Sequence, residues 1–103
     1  FIVMVASILT RHLYPPQEVL IEHGSLAREL FIVNRGIAAG NNHLFTVGSI
    51  IGNDALVRGE SERSYSAHAI TFLEVSCLIK DQLFQVLENF PEMEQRFKIL
   101  AIK

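Results

Sequence analysis

Apolar residues along the chain fall into three successive patterns. At the start, Phe1, Val5, Ile8 and Leu9 recur at helical spacing, which predicts a helix over 1–12. "YPPQE" at 14–18 ends it, because neither Pro15 nor Pro16 can donate a helical hydrogen bond. From there to residue 79 the chain reads as short runs of strand formers: "EVLIEH" (18–23), "ELFIVNR" (29–35), "GIAA" (36–39) and "HLFTV" (43–47). Gly24, Gly36, Gly40 and Gly48 punctuate these runs, and "GNN" at 40–42 reads as a hairpin turn. In "TFLEVSCLI" (71–79) the alternation places Leu73, Val75, Cys77 and Ile79 on one face.

Helical spacing then returns. Leu83, Phe84, Leu87 and Phe90 line one side of 80–90, with Asp81 as its expected cap. Pro91 suits the first position of a further helix, Glu92 and Glu94 oppose its dipole, and Met93, Phe97 and Leu100 form its apolar stripe. A helix, many short strands and then helices predict an α+β domain built on an antiparallel barrel or roll. There is no internal repeat and no low-complexity segment.

Composition narrows the range of partners. The chain has 103 residues, half of them hydrophobic, which suits one domain (1–103) with a packed core. Its formal charge of −2 is spread along the chain, which argues against a nucleic-acid binder. Cys77 is the single cysteine, so no internal disulfide forms and a reducing compartment fits. The opening "FIVMVASIL" is shorter than the ~20 apolar residues of a membrane helix. It also lacks the Met and basic region of a signal peptide. A first residue other than Met suggests a fragment of a longer protein.

The stretch with chemical promise is "GNDALVRGESERSYSA" (52–67). Gly52 permits a tight turn, Asn53 can cap a short helix and Asp54 suits its first turn. Free N–H groups of such a turn attract anions. Arg63 adds a two-pronged cation, and Ser64 and Ser66 add hydroxyls, a set that suits one phosphate. The plainer alternative is a solvated loop in which Arg58, Glu60, Glu62 and Arg63 pair at the surface, each pair worth ~0–1 kcal/mol.

Other candidates carry less. His12, His23, His43 and His68 have no metal-ligand spacing, and no metal site is expected. Cys77 belongs to the apolar face of its strand and reads as core. Ser64 and Ser66 lie near His68, but no orienting acid or oxyanion motif accompanies them, so neither a hydrolase nor any other enzyme is expected. The aromatic set Phe84 to Phe97 reads as helix packing.

Together, these motifs resemble the cyclic-nucleotide-binding domain family over nearly the whole chain. The family's Tyr-x-Pro-Gly-Glu-x-Ile-x-x-x-Gly turn appears as "YPPQEVLIEHG" (14–24), with Gln17 in place of glycine. A hydrophobic strand ending at glycine appears as "ELFIVNRG" (29–36). The phosphate cassette, Phe-Gly-Glu-x-Ala-Leu followed by Arg-Thr-Ala-Ser-Val-x-Ala, appears as "IGNDAL" (51–56) and "RSYSAHA" (63–69). The ending "DQLFQVLENFPEMEQRFKILAI" looks most like channel members: pacemaker, cyclic-nucleotide-gated and ether-à-go-go relatives.

The resemblance implies an eight-stranded antiparallel β-roll (jelly-roll-like) flanked by an N-terminal helix and two C-terminal helices, the last one truncated. It implies a ligand site at Gly52, Asn53, Ala55, Leu56, Arg63, Ser64 and Tyr65. There Arg63 pairs with the cyclic phosphate, N–H groups around Ala55 and Leu56 assist, Ser64 touches phosphate or base, and Asn53 takes the ribose position. Asn53 replaces the family glutamate, and exchanging a charged for a neutral acceptor costs ~1–2 kcal/mol, or roughly 5- to 30-fold in affinity. Tyr65 replaces the family's alanine. An inward ring would take up nucleotide space, while an outward one would be surface only.

The implied function is a regulatory cAMP- or cGMP-binding module of an ion channel, cytoplasmic within a membrane-bound parent, with the C-terminal helix coupling ligand to gate. No cofactor is implied beyond the nucleotide itself; the expected partners are that nucleotide and other subunits or a channel linker. The alternative is a degenerate, ligand-free homology domain with a structural or assembly role. A regulatory domain of a kinase or a transcription regulator is a third option. Arg63→Glu is expected to separate the first two, abolishing binding in one and leaving folding unchanged in the other.

Overall fold

The computed structural model describes residues 2–57 and 59–93. Helix α1 (Ile2–Ile8) leads into β1 (Thr10–Tyr14), β2 (Val19–Ile21), β3 (Glu29–Arg35), β4 (Ala38–Gly40), β5 (His43–Phe45) and β6 (Ile50–Ile51). A single 3-10 turn, Asn53–Ala55, precedes β7 (Ala67–Ala69), β8 (Leu73–Ile79) and α2 (Lys80–Leu87). Residues 91–93 start a further helical turn. The two sheets have the orders β1-β8-β3-β6 and β2-β7-β4-β5, and every pairing is antiparallel. This is the expected α+β roll.

The sheets face each other over a core of Ile21, Phe31, Val33, Phe45, Ile51, Leu73, Val75 and Cys77, filled in by the small side chains of Ala38, Ala67 and Ala69. Alternation explains which residues arrive there, since successive side chains leave a strand on opposite faces. The other face of β3 and β8 is apolar too. Leu30 and Leu78 meet Leu83, Phe84 and Leu87 of α2, with Val5 and Ile8 of α1 packed alongside. The unbroken run Leu30-Phe31-Ile32-Val33 thus reflects a strand covered on both sides.

Four expectations are adjusted. The helix predicted over 1–12 stops at Ile8, and Thr10–Tyr14 pairs along its whole length with β8, from Thr10 opposite Cys77 to Tyr14 opposite Leu73. Sheet pairing thus overrides an apolar spacing that Leu9 and Leu13 merely continue. Asp81 does not cap α2. The cap position is Ile79, without a side-chain bond, and Asp81 sits in the first turn, where its charge still opposes the dipole. On β8, Leu73, Val75 and Cys77 share the buried face, but Ile79 at the strand end is exposed. Strands β6 and β7 were not expected from the pattern. The hairpin turn falls where predicted, with Asn41 and Asn42 both in the left-handed region (φ 54° and 55°). Arg58 and the predicted last helix beyond Met93, with Glu94, Phe97 and Leu100, lie outside the described residues.

Candidate functional site

The cassette begins where β6 runs out. Gly52 takes a left-handed conformation (φ 83°) that turns the chain into Asn53–Ala55. Ala55 and Leu56 are buried, and Leu56 anchors the turn in the apolar cluster beneath α2. The returning segment is tied to 24–27. Ala27 N–H donates to the Ser61 carbonyl (2.8 Å), Arg63 N–H to the Ser25 carbonyl (2.7 Å) and Gly24 N–H to the Arg63 carbonyl (2.9 Å). The hydroxyl of Ser61 donates to the Asp54 carbonyl at 2.9 Å, closing the loop on itself.

All seven predicted residues are brought into one neighbourhood, and most of their polar groups have internal partners. Ala55 N–H donates to the Gly52 carbonyl (3.1 Å) and Leu56 N–H to the Asn53 carbonyl (3.0 Å). Those two donors therefore serve the turn. Arg63 is only 2% exposed. Its Nη1 donates to the Gly52 carbonyl (3.1 Å) and to Asp54 Oδ1 (2.9 Å). Its Nη2 donates to the Glu29 carbonyl (2.6 Å) and to Glu29 Oε1 (3.2 Å). A guanidinium presents its donors in a planar fork, and here both prongs are engaged. The second oxygen of Asp54 accepts from Ser64 N–H (2.9 Å) and from the Ser64 hydroxyl (3.3 Å).

Tyr65 faces inward. Its ring stacks on Phe45, with centroids 6.1 Å apart and planes 15° from parallel, and its hydroxyl accepts from Gly52 N–H at 2.8 Å. Burial raises the Tyr65 phenol above its ordinary pKa, partly opposed by that Gly52 N–H. Beside the ring lies a cavity of about 390 Å³ between the β4–β5 hairpin and the cassette, walled by His43, Phe45, Ile50, Asn53 and Tyr65. No lysine or arginine among the described residues lines it. A larger hollow of about 830 Å³ lies between Glu29, Ser61 and α2 and contains none of the predicted site residues. At its edge Lys80 is buried, with Nζ donating to the Gly59 carbonyl, and burial lowers its pKa.

Sequence reasoning had Asp54 only as a first-turn residue and passed over Glu29 entirely. Their role depends on contacts across 9 and 34 residues of sequence, for which no local spacing gives a signal. Among the described residues no group of three His, Cys, Asp or Glu side chains is placed to hold a metal ion. None of their helices is long and apolar enough to cross a membrane.

No family model matches the chain. It is 25% identical, over 99% of its length, to potassium/sodium hyperpolarization-activated cyclic nucleotide-gated channel 1 of Homo sapiens, and equally so to channel 3 of the same species. The figure is 24% for channel 2 of Mus musculus. The matched region is only 12–14% of the length of these relatives. The fold is shared with the C-linker/CNBHD of zELK channels, crystallized in the presence of cAMP, at a TM-score of 0.83 and 23% identity. That match covers 91% of this chain and 51% of the other. With the roll, the order of the cassette motifs and these similarities together, the chain resembles the cyclic-nucleotide-binding domains of cation channels along nearly all of its length.

Proposed function

We propose that the chain is a non-catalytic regulatory domain of a channel-type membrane protein, placed on its cytoplasmic side, whose cassette is closed by its own side chains. In this reading it couples or assembles neighbouring parts of the parent, a linker or other subunits, without a bound nucleotide. The observation that carries it is the engagement of Arg63. The cation a cyclic phosphate would need is buried and bonded to Asp54, to Glu29 and to the Gly52 carbonyl. Tyr65 occupies the Gly52 N–H as well. A ligand would have to supply enough differential binding energy to break these contacts.

One observation favours a second reading, in which cAMP or cGMP binds. The 390 Å³ cavity has aromatic walls suited to a base, and Asn53, to which the resemblance assigns the ribose contact, lines it. Calorimetric titration of cAMP and cGMP into the chain decides between the two. The expected result is no saturable heat at millimolar nucleotide from protein shown by circular dichroism to be folded. Saturable heat would replace the closed-cassette reading with the ligand-binding one.

A further inference from the structure

The donors around Asp54 form a set that an oxyanion would use. Arg63 Nη1 reaches Oδ1, while Ser64 N–H and the Ser64 hydroxyl reach Oδ2, at 2.9, 2.9 and 3.3 Å. Arg63 is almost fully buried, and the Asp54 side chain keeps 16% of its surface in contact with solvent. The carboxylate thus stands between water and a buried guanidinium. We propose that Asp54 is an internal plug in an oxyanion site, holding the donors that a phosphate group would otherwise take, so that a phosphate can enter only by displacing it.

The inference rests on the closed-cassette reading and adds the cause of the closure. A carboxylate and a phosphate share what this site recognises: negative oxygens able to accept two or three charge-assisted hydrogen bonds at once. Local charge works in the same direction. Among the described residues, Arg63 is ion-paired with two carboxylates, Asp54 and Glu29, so an arriving anion must compete with both. Removing Asp54 leaves Arg63 balanced by Glu29 alone. It also leaves Nη1, the Ser64 amide and the Ser64 hydroxyl converging on an opening to solvent. Arg63 stays fixed meanwhile, because its bonds to both the carboxylate and the carbonyl of Glu29, and to the Gly52 carbonyl, do not involve Asp54. The site is then positioned and vacant of its own anion.

The test is Asp54→Ala followed by amide NMR during titration with inorganic phosphate at constant ionic strength, the wild-type chain alongside. The Ser64 amide of the variant is expected to shift saturably, with phosphate bound roughly tenfold or more tighter than by wild type. Equal affinity in both proteins would overturn the proposal, as would a folded variant whose Ser64 amide does not respond. A variant that folds only when phosphate is present counts as binding. If Asp54→Ala does not fold under either condition, Asp54→Ser, which keeps a short acceptor for Arg63, is titrated in its place. Failure of both to fold with or without phosphate would overturn the proposal, since the carboxylate would then be irreplaceable architecture. Cyclic nucleotide binding by the wild-type chain would instead sink the closed-cassette reading, independently of what the variants do with phosphate.

Discussion

Arg63 lies so close to Gly52 that a Cβ added to the glycine would stand 2.5 Å from Nη1. Two demands meet at this residue: a backbone φ of 83° and room for a buried guanidinium. Gly52→Ala fails both. The left-handed conformation alone costs ~1–2 kcal/mol for a side-chain-bearing residue, and moving Arg63 strains its bonds to Asp54 and Glu29. The variant is expected to lose at least about 2 kcal/mol by urea denaturation, with NMR shifts spreading from the cassette to residue 29.

Arg63→Glu brings a third carboxylate against Asp54 and Glu29 in a site 2% exposed. Folding is expected to suffer, whereas the sequence alone implied that it would be unchanged in a ligand-free domain. Removing one partner from a buried ion pair costs ~3–5 kcal/mol, a large part of the stability of a domain this size. A thermal melt followed by circular dichroism should show a strongly lowered midpoint or an unfolded chain. A near-wild-type melt would mean that Arg63 contributes little to the architecture.

Gln17 is the residue that replaces glycine in the first turn, and it adopts φ 75°. Its N–H still donates to the Ala69 carbonyl at 2.8 Å, so the conformation is held by pairing with the start of the roll. Gln17→Gly removes the strain but gives the unfolded chain more conformational freedom, which offsets part of the gain. The expected net gain is up to ~1 kcal/mol, or a rise in Tm of about 4–8 °C, read by calorimetric melting.

Burial holds the Tyr65 phenol neutral beyond its ordinary pKa of 10.0. As pH rises the unfolded chain loses this proton first, so the folded state binds more protons in the interval between the two values. Stability from Tyr65 is therefore intact below about pH 10 and declines as pH climbs through the folded value. Tyr14 and Cys77 are raised by burial as well and act in the same direction, whereas Lys80, lowered by burial, acts in the opposite one. Urea midpoints measured from about pH 8 to about pH 11 should fall more gently in Tyr65→Phe than in wild type.

The readable parts of the fold were those whose own residues decide their structure. β3 was predicted over its observed range because "ELFIVNR" is rich in strand formers, and Asn41-Asn42 marks the β4–β5 hairpin through backbone preference. β1 was hidden in a helical pattern because its strand character comes from β8, 59 or more residues away. β6 and β7 are two and three residues long, and β7 is built from Ala67, His68 and Ala69, which carry little strand preference of their own. The cassette was legible as an order of motifs. Whether its arginine would meet a ligand or a neighbouring carboxylate was not, since Glu29 reaches Arg63 only after β3 and the cassette are folded side by side.

A strand with one apolar face fixes its register by that face, because a slip of one residue exposes every greasy side chain. β3 has no such safeguard. With Leu30 and Ile32 on one side and Phe31 and Val33 on the other, a slip against β8 would bury almost as much apolar surface as the correct alignment. The alignment must be keyed by its polar members. The pairing shifts between Val33 and Arg35, leaving Asn34 as the extra residue, and its amide donates to the Ser76 hydroxyl at 2.9 Å. At the other end, Glu29 is held to Arg63 at 3.2 Å, a contact that displacing β3 would strain. The two ends act as a lock and a latch for the central strand pair. The ion pair that engages Arg63 is therefore also a register contact for the central strand pair.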